Sequence, residues 1–177
     1  MPALNARSST LLVIDFQARL MPAIHEGAAA AVNARRLLDA AGLVGVPVLW
    51  TEQNPDGLGP TLPALGPDPD AVQRKMFFDA TRTPGFLQRL PDGHAVLVAG
   101  CEAHVCVLQT VLGLLGNGRR VFVAADAVGS RRPDSKEAAL RRMERHGAEI
   151  VTTEMAVFEW LETAEHPRFR DALTLIK

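Results

Sequence analysis

The sequence predicts an α/β fold: a three-layer αβα sandwich built on a mostly parallel, Rossmann-like sheet of about six strands. Two observations predict it. Short apolar runs rich in β-branched residues recur along the chain, and they are continuous rather than alternating, which is typical of strands buried on both faces. Segments with a helical spacing of apolar residues lie between them, and this strand–helix–strand alternation is typical of a parallel sheet with right-handed crossovers.

The predicted elements follow one another in a regular order. The strands are predicted at residues 11–14, 46–50, 96–99, 121–125 and 150–152, with a weaker sixth candidate at 73–77. The helices are predicted at residues 28–41, 86–90, 104–115 and 134–146, and glycine directly follows most of them. The apolar segment with Phe158, Trp160 and Leu161 either packs on the sheet or faces a partner.

Length and composition indicate an ordinary globular protein. The 177 residues are 47% hydrophobic and 22% charged, which predicts one domain over residues 1–177 and argues against disorder. The formal net charge is −1, so there is no basic excess for nucleic acid. No apolar run approaches the roughly 18 residues of a membrane span. The two cysteines, Cys101 and Cys106, make no disulfide framework, and we expect a reducing, cytoplasmic setting.

Polar side chains stand where the predicted strands end. In open α/β sheets, ligands bind at the carboxyl ends of the strands, so these residues are expected to share one edge. In chain order they are Asp15, Gln17, Thr51, Glu52, Gln53, Lys75, Cys106 and Asp126. An acid, a lysine and a cysteine are therefore expected at one site.

Cys106, Asp15 and Lys75 form the candidate catalytic set, and each also has a structural interpretation. Cys106 lies in the first turn of the predicted 104–115 helix, where the helix end and a nearby Lys75 would favour the nucleophilic thiolate. A free cysteine is, however, more often a small core residue. Asp15 follows four apolar residues, where an unpaired charge is costly, so it either pairs with Lys75 or takes part in chemistry. Lys75 by itself is compatible with an ordinary surface lysine.

The remaining candidates are weaker. His104 is two residues before Cys106, and positions two apart on a helix face different sides, so direct contact is not expected. The five histidines have no metal-ligand spacing, and no metal site is predicted. Candidate pocket residues are Gln17, Gln53, Phe78 and His104. The proline-rich loop at residues 54–70 is long enough to suggest a functional role.

Four segments of the chain, taken in order, resemble the isochorismatase-like cysteine hydrolases. They are LLVIDFQ with Asp15, RKMFFDA with Lys75, GCEAHVCVLQT with Cys106, and VFVAADAVGSR. The stretch TEQNPDGLGPTLPAL and the ending HPRFRDALTLIK are similar to the short branch of that family often called isochorismatase domain-containing proteins. Each segment alone is a modest signal, but four in order at these spacings over most of the chain form a specific one.

The resemblance implies a catalytic triad of Asp15, Lys75 and Cys106 that works without a cofactor. In the family the cysteine attacks a carbonyl carbon, the aspartate moves the proton and the lysine balances charge. The family also has a non-proline cis peptide before the cysteine, which by position is Cys101–Glu102 here. That bond would bring the backbone N–H of Glu102 beside that of Cys106 as an oxyanion hole. A small-molecule substrate and a homo-oligomer are also expected, without a nucleic-acid or membrane partner.

Two departures from the family narrow the implied activity. Its nicotinamidases carry an Asp/His/His metal site in the loop after the second strand, and residues 51–69 contain no histidine here. Its namesake cleaves a vinyl ether without the cysteine, whereas this chain has Cys106. The leading hypothesis is a metal-independent cysteine hydrolase acting on a small amide, carbamoyl or related C–N substrate through a thioacyl intermediate. The alternatives are a non-catalytic or regulatory small-ligand-binding protein that retains the fold, and a thiol redox role for Cys101 and Cys106.

Overall fold

The sheet has six parallel strands. In the computed structural model, which describes residues 3–177, the strand order is β3-β2-β1-β4-β5-β6 and every neighbouring pair is parallel. The strands are Ser9–Ile14 (β1), Val48–Gln53 (β2), Val72–Lys75 (β3), Ala95–Cys101 (β4), Val121–Gly129 (β5) and Glu149–Val151 (β6). Every residue of β1 and β4 is buried, which explains why these central strands carry apolar residues on both faces.

Helices cover both faces of the sheet, and the predicted αβα sandwich is confirmed. The helices are Gly27–Val44 (α1), Pro55–Leu58 (α2), Leu108–Gly116 (α3), Pro133–Arg145 (α4), Thr153–Leu161 (α5) and Phe169–Ile176 (α6). Leu11 and Val13 of β1 belong to a core shared with α1, α5 and α6, whereas Leu12 and Ile14 belong to a second core shared with α3 and α4. In the part of the chain from residue 3 onward, no helix is both long and apolar enough to cross a membrane.

The C-terminal part of the chain differs most from the prediction. It is not predicted as helical, yet it forms α5 and α6. Thr152 begins α5 because its side chain accepts a hydrogen bond from a backbone N–H of the first turn. Trp160 and Leu161 are buried in the core, so this segment packs on the protein, while Phe158 remains partly exposed.

Two shorter elements also differ from the prediction, and one of them changes which residues lie at the carboxyl edge of the sheet. The predicted helix at residues 86–90 is a single 3₁₀ turn, Leu87–Arg89, because so few residues gain little from helix propagation. β5 continues past residue 125 to Gly129, which moves Asp126 into the strand. The Asp126 carboxylate there accepts hydrogen bonds from the N–H and hydroxyl of Thr153 at the start of α5. Residues 130 and 131, rather than Asp126, therefore stand at the carboxyl edge.

The strand order creates a crevice between β1 and β4. After β1 the chain adds β2 and then β3 to one side of the sheet, and after β4 it adds β5 and then β6 to the other side. The connections that leave β1 and β4 therefore diverge, and such a switch point is where open α/β sheets bind ligands. Asp15 directly follows β1, and the turn that carries Cys106 follows β4.

Candidate active site

Asp15 and Lys75 form an ion pair that is completely removed from solvent. Asp15 follows β1 and Lys75 ends β3, with β2 between them in the sheet. Lys75 Nζ lies 2.7 Å from Asp15 Oδ2, and both side chains are 0% exposed. Asp15 has a φ of 53°, in the left-handed region that aspartate tolerates better than most residues. The structure thus brings these two sequence candidates together.

Neutral side chains complete the hydrogen bonds of this pair. Thr51 Oγ1 donates to Asp15 Oδ1 at 2.6 Å, and Lys75 Nζ donates a second bond to Gln53 Oε1 at 2.9 Å. Gln17 holds Gln53 in turn: its Oε1 accepts from the Gln53 N–H at 2.8 Å, and its Nε2 donates to the Gln53 carbonyl at 3.0 Å. These partners fix both charged groups in one geometry, which a buried ion pair requires.

Cys106 lies beside this pair, on a turn of a different type from the predicted one. Residues Ala103–Val107 form a single π-helical turn ahead of α3 rather than the first turn of an α-helix. The charges of the Asp15 carboxylate and the Lys75 ammonium both act on this thiol, and Cys106 and Asp15 line the same cavity. All three members of the candidate catalytic set therefore meet at one point.

The expectation that Cys106 favours the thiolate is wrong. Burial raises the pKa of the Cys106 thiol far above its usual range, and the Asp15 carboxylate raises it further. The Lys75 ammonium lowers the pKa of this thiol, but by less than the other two effects raise it. Burial also raises the pKa of the Cys101 thiol to about 12. A raised pKa favours the protonated thiol, whose proton must be removed before Cys106 can act as a nucleophile.

Glu102 connects Cys106 to the end of β5. The Cys101–Glu102 peptide bond is cis, at the position that the family resemblance implies. Glu102 Oε2 accepts two hydrogen bonds from Arg131, one from the backbone N–H and one from Nε, each of 3.0 Å. Sequence analysis misses Arg131 because the predicted fifth strand ends at residue 125. The segment VFVAADAVGSR, which ends on Arg131, is the signal that could have indicated it.

A cavity of about 270 Å³ opens over these groups, close to the lower end of the usual range for ligand pockets. Its polar lining residues are Asp15, Gln53, Glu102, Cys106 and Arg131, and its apolar ones are Leu20, Ala23, Leu58, Phe78 and Val105. Of the candidate pocket residues, Gln53 and Phe78 line this cavity, whereas Gln17 is fully buried against Gln53. His104 is not part of the lining, and its Nδ1 pairs with Ser130 Oγ at 3.0 Å.

The proline-rich loop supplies one wall of the cavity. Glu52 Oε1 accepts hydrogen bonds from the N–H and hydroxyl of Thr61, at 2.8 and 2.9 Å. Gln17 Nε2 donates to the Gly59 carbonyl at 2.7 Å. These buried contacts hold the loop against the ends of β1 and β2, and Leu58 thereby joins the lining.

The side chains at this edge offer nucleophilic and acid–base chemistry. Cys106 can provide a nucleophile, Asp15 a carboxylate near the thiol, and Lys75 a positive charge paired with that carboxylate. Within residues 3–177, no three His, Cys, Asp or Glu side chains are grouped as metal ligands. The fold and the site therefore define an α/β protein with a cysteine, an acid and a lysine at the switch point of its sheet.

Comparison with known proteins assigns the family. The isochorismatase domain matches residues 9–155. Human isochorismatase domain-containing protein 2 is 38% identical over 173 residues, which cover 96% of this chain and 83% of the relative. The chain belongs to the isochorismatase-like hydrolase family, and the family predicted from its motifs is confirmed.

Two solved structures share the fold closely. The MAR1 ribonuclease from Caenorhabditis elegans has a TM-score of 0.92 and 34% identity, covering 98% of this chain and 92% of that one. YcaC from Pseudomonas aeruginosa, solved with hexane-2,5-diol and covalent acrylamide, has a TM-score of 0.88 and 25% identity, covering 98% and 91%.

Proposed function

We propose that this protein is a metal-independent cysteine hydrolase that cleaves a small amide, carbamoyl or related C–N substrate. Cys106 is the nucleophile, Asp15 carries the proton and Lys75 balances charge. The observation that carries the proposal is a thiol beside a completely buried carboxylate–ammonium pair at a cavity of about 270 Å³. A buried ion pair rarely stabilises a fold more than apolar residues of similar volume do, so its presence beside a nucleophile favours a chemical role.

In the first half of the reaction, Asp15 takes the thiol proton as Cys106 Sγ attacks the substrate carbonyl carbon. The C–S bond forms and the carbonyl π electrons move to oxygen, where the backbone N–H groups of Glu102 and Cys106 donate as the oxyanion hole. The tetrahedral species then collapses and the C–N bond breaks. Asp15 gives its proton to the leaving nitrogen, so that ammonia or an amine departs and a thioester remains on Cys106.

In the second half, water cleaves the thioester. Asp15 accepts a proton from the attacking water, the C–S bond breaks, and the proton returns to Cys106 as the acid product leaves. Lys75, 2.7 Å from Asp15, stabilises the carboxylate between these transfers. Because the pKa of the Cys106 thiol is raised, little thiolate exists before the substrate binds, and the mechanism depends on Asp15 as the base.

A panel of small amides, ureas and carbamoyl compounds, followed by ammonia release, tests the proposal. We expect turnover of at least one compound by the wild-type protein and its loss in Cys106→Ala. Lys75→Met should be equally inactive, whereas Lys136→Met, which replaces a lysine outside this cavity, should keep the activity. Double variants within the triad should lose no more activity than single variants, because the effects of mutations within one catalytic unit are not additive. Turnover by Cys106→Ala near the wild-type rate would contradict the proposal.

The covalent acrylamide of the Pseudomonas aeruginosa relative suggests a second probe. Acrylamide is a small electrophilic amide that fits the proposed substrate class. After incubation of this protein with acrylamide, mass spectrometry should find the adduct on Cys106 before Cys101, since Cys106 lines the cavity and Cys101 is 0% exposed. Equal labelling of the two cysteines would argue against Cys106 as the nucleophile.

The alternatives give different results in the same assays. The name of the Caenorhabditis elegans relative suggests RNA as a substrate. The net charge of −1 on this chain offers a polyanion no overall attraction, and we therefore propose a small molecule rather than nucleic acid. Cleavage of a labelled RNA oligonucleotide that depends on Cys106 would instead favour a ribonuclease. A binding protein without turnover would bind small amides saturably and release no ammonia.

We also propose that the protein forms a homo-oligomer. Met76, Phe77 and Phe78 are consecutive, large and apolar, with 69%, 46% and 49% of each exposed. Phe78 also lines the cavity, so a second copy over this patch would close part of its mouth. Light scattering at micromolar concentration should give a multiple of 19.1 kDa, and a monomeric mass would contradict the assembly.

A further inference from the structure

We infer that Thr51 is a positioning residue for Asp15: its hydroxyl holds the Asp15 side chain as a charged carboxylate and thereby keeps a proton on Cys106 until substrate binds. The inference rests on the proposed function and adds to it the residue that determines where the proton shared by Asp15 and Cys106 lies. It comes from a buried hydrogen bond that the motifs of the triad do not specify.

Thr51 holds Asp15 at two points. On β2, Thr51 pairs with Ile14, the last residue of β1, so it lies beside Asp15 at the edge of the sheet. The backbone carbonyl of Thr51 accepts a hydrogen bond from the Asp15 N–H at 3.2 Å, and Thr51 Oγ1 donates to Asp15 Oδ1 at 2.6 Å. Thr51 is only 1% exposed, so the bond to the carboxylate lies in the protein interior, where the low dielectric constant strengthens it.

The two oxygens of the Asp15 carboxylate have donors of different kinds. Lys75 Nζ, a cation, donates to Oδ2 at 2.7 Å, whereas the donor to Oδ1 is the neutral hydroxyl of Thr51. A hydrogen bond donated to a carboxylate favours its charged form. Removing the Thr51 hydroxyl therefore makes Asp15 hold a proton more strongly, while both charges of the ion pair stay in place.

The bond from Thr51 affects Cys106 because Asp15 acts on the same thiol. The charge of Asp15 raises the pKa of the Cys106 thiol, and these two residues line one cavity. In the proposed mechanism a proton passes from Cys106 Sγ to Asp15, which converts a thiol and a carboxylate into a thiolate and a carboxylic acid. The Thr51 hydroxyl stabilises the first of these two forms more than the second. It therefore limits the thiolate that is present before substrate binds, and with it the reaction of Cys106 with other electrophiles.

Alkylation by iodoacetamide at pH 7, followed by peptide mapping, tests the inference without turnover. The thiolate forms a C–S bond and displaces iodide, so the rate follows the thiolate fraction. Thr51→Val removes the hydroxyl and keeps the β-branched shape, and we expect it to raise the rate at Cys106 about 10- to 100-fold, the range of a hydrogen bond to a charged group. Thr51→Ser keeps a hydroxyl and should keep the wild-type rate. The matched control is Thr153→Val, which removes a hydroxyl bond of 3.0 Å to Asp126 outside the cavity lining and should not change the rate.

A second background separates an effect through Asp15 from a loosening of the structure. In the protein with Asp15→Asn and Lys75→Met, adding Thr51→Val should not change the rate, because no carboxylate remains for the hydroxyl to stabilise. An equal rise in that background, or labelling of the buried Cys101 in step with Cys106, would overturn the inference. If Thr51→Val fails to fold, Thr51→Ala takes its place, with the same expected rise.

The remaining outcomes distinguish this inference from the proposed hydrolase. An unchanged rate in Thr51→Val, or a rise of the same size in Thr51→Ser, would overturn the role of Thr51 even if the wild-type protein cleaves an amide. The expected rise in Thr51→Val, without turnover of any amide by the wild-type protein, would refute the proposed function alone.

Discussion

Replacing Asp15 with asparagine perturbs the buried ion pair while preserving its shape. Asparagine tolerates the φ of 53° as aspartate does, so the backbone at this position can remain unchanged. The change removes the negative charge opposite Lys75, at a site where both side chains are 0% exposed. Removing one partner of a buried ion pair costs about 3–5 kcal/mol. For a chain of 177 residues this corresponds to a fall in Tm of about 6–20 °C.

The single variant is thus expected to lose both stability and activity, and a second variant is needed to separate them. Combining Asp15→Asn with Lys75→Met removes both charges, and neutral replacement of a whole buried pair is often tolerated. We expect this double variant to recover most of the lost Tm. Turnover should stay about 10²–10⁴-fold below wild type, because the proposed proton carrier is still missing.

Thermal unfolding by circular dichroism and ammonia release on the best amide of the panel measure the two effects. Asp126→Asn is the matched control, since it removes a carboxylate that caps α5 away from the cavity; it should cost some stability and keep turnover. A folded double variant that turns over within a few-fold of wild type would refute the mechanism. A double variant as unstable as Asp15→Asn would refute the account of the buried charge.

Four further predictions concern the two thiols, metals and one glycine. Iodoacetamide should modify Cys106 slowly at pH 7 and faster as the pH rises, because burial and Asp15 raise the pKa of its thiol; rapid modification well below pH 8 in peptide mapping would contradict this. The pKa of the Cys101 thiol is 9.0 in the unfolded chain and about 12 in the folded protein, so between these pH values the unfolded chain binds fewer protons. The free energy of unfolding, measured with urea, should therefore fall as the pH rises through this range. It should fall less steeply in Cys101→Ala. Activity should survive a chelator, because the described residues group no metal ligands; complete loss with recovery on zinc, iron or manganese would overturn this. Gly100→Ala should cost about 1–3 kcal/mol or more in chemical denaturation, because its Cβ would lie 2.6 Å from the backbone oxygen of Ile14, whereas Gly116→Ala, with open space around it, should not destabilise.

The sheet could be predicted from the sequence because its central strands are buried on both faces. Their apolar runs are short, continuous and β-branched, so β1 and β4 are identified by local sequence alone. Helices α5 and α6 could not be predicted in the same way. They are nine and eight residues long, and helices of this length depend on tertiary packing, here against α1.

The candidate site likewise has features that local sequence identifies and features that depend on tertiary structure. Asp15, Lys75 and Cys106 could be identified because carboxyl ends of parallel strands meet at one edge. The position of Arg131 in the cavity lining depends on where β5 ends, which sequence patterns locate only to within a few residues. The raised pKa of Cys106 depends on how deeply the thiol is buried and on the nearby charge of Asp15, and neither is a local property of the chain.

Two ion pairs flank Cys106, and their different burial gives them different roles. The Asp15–Lys75 pair is 0% exposed, and charges fixed in the interior can stabilise a proton transfer beside them without reorganising. In the Glu102–Arg131 pair the anion is 9% exposed but the cation is 61% exposed, so water screens the charge of Arg131. Removing Asp15 should therefore mainly lower kcat, because in the proposed mechanism the buried pair acts on the reacting atoms.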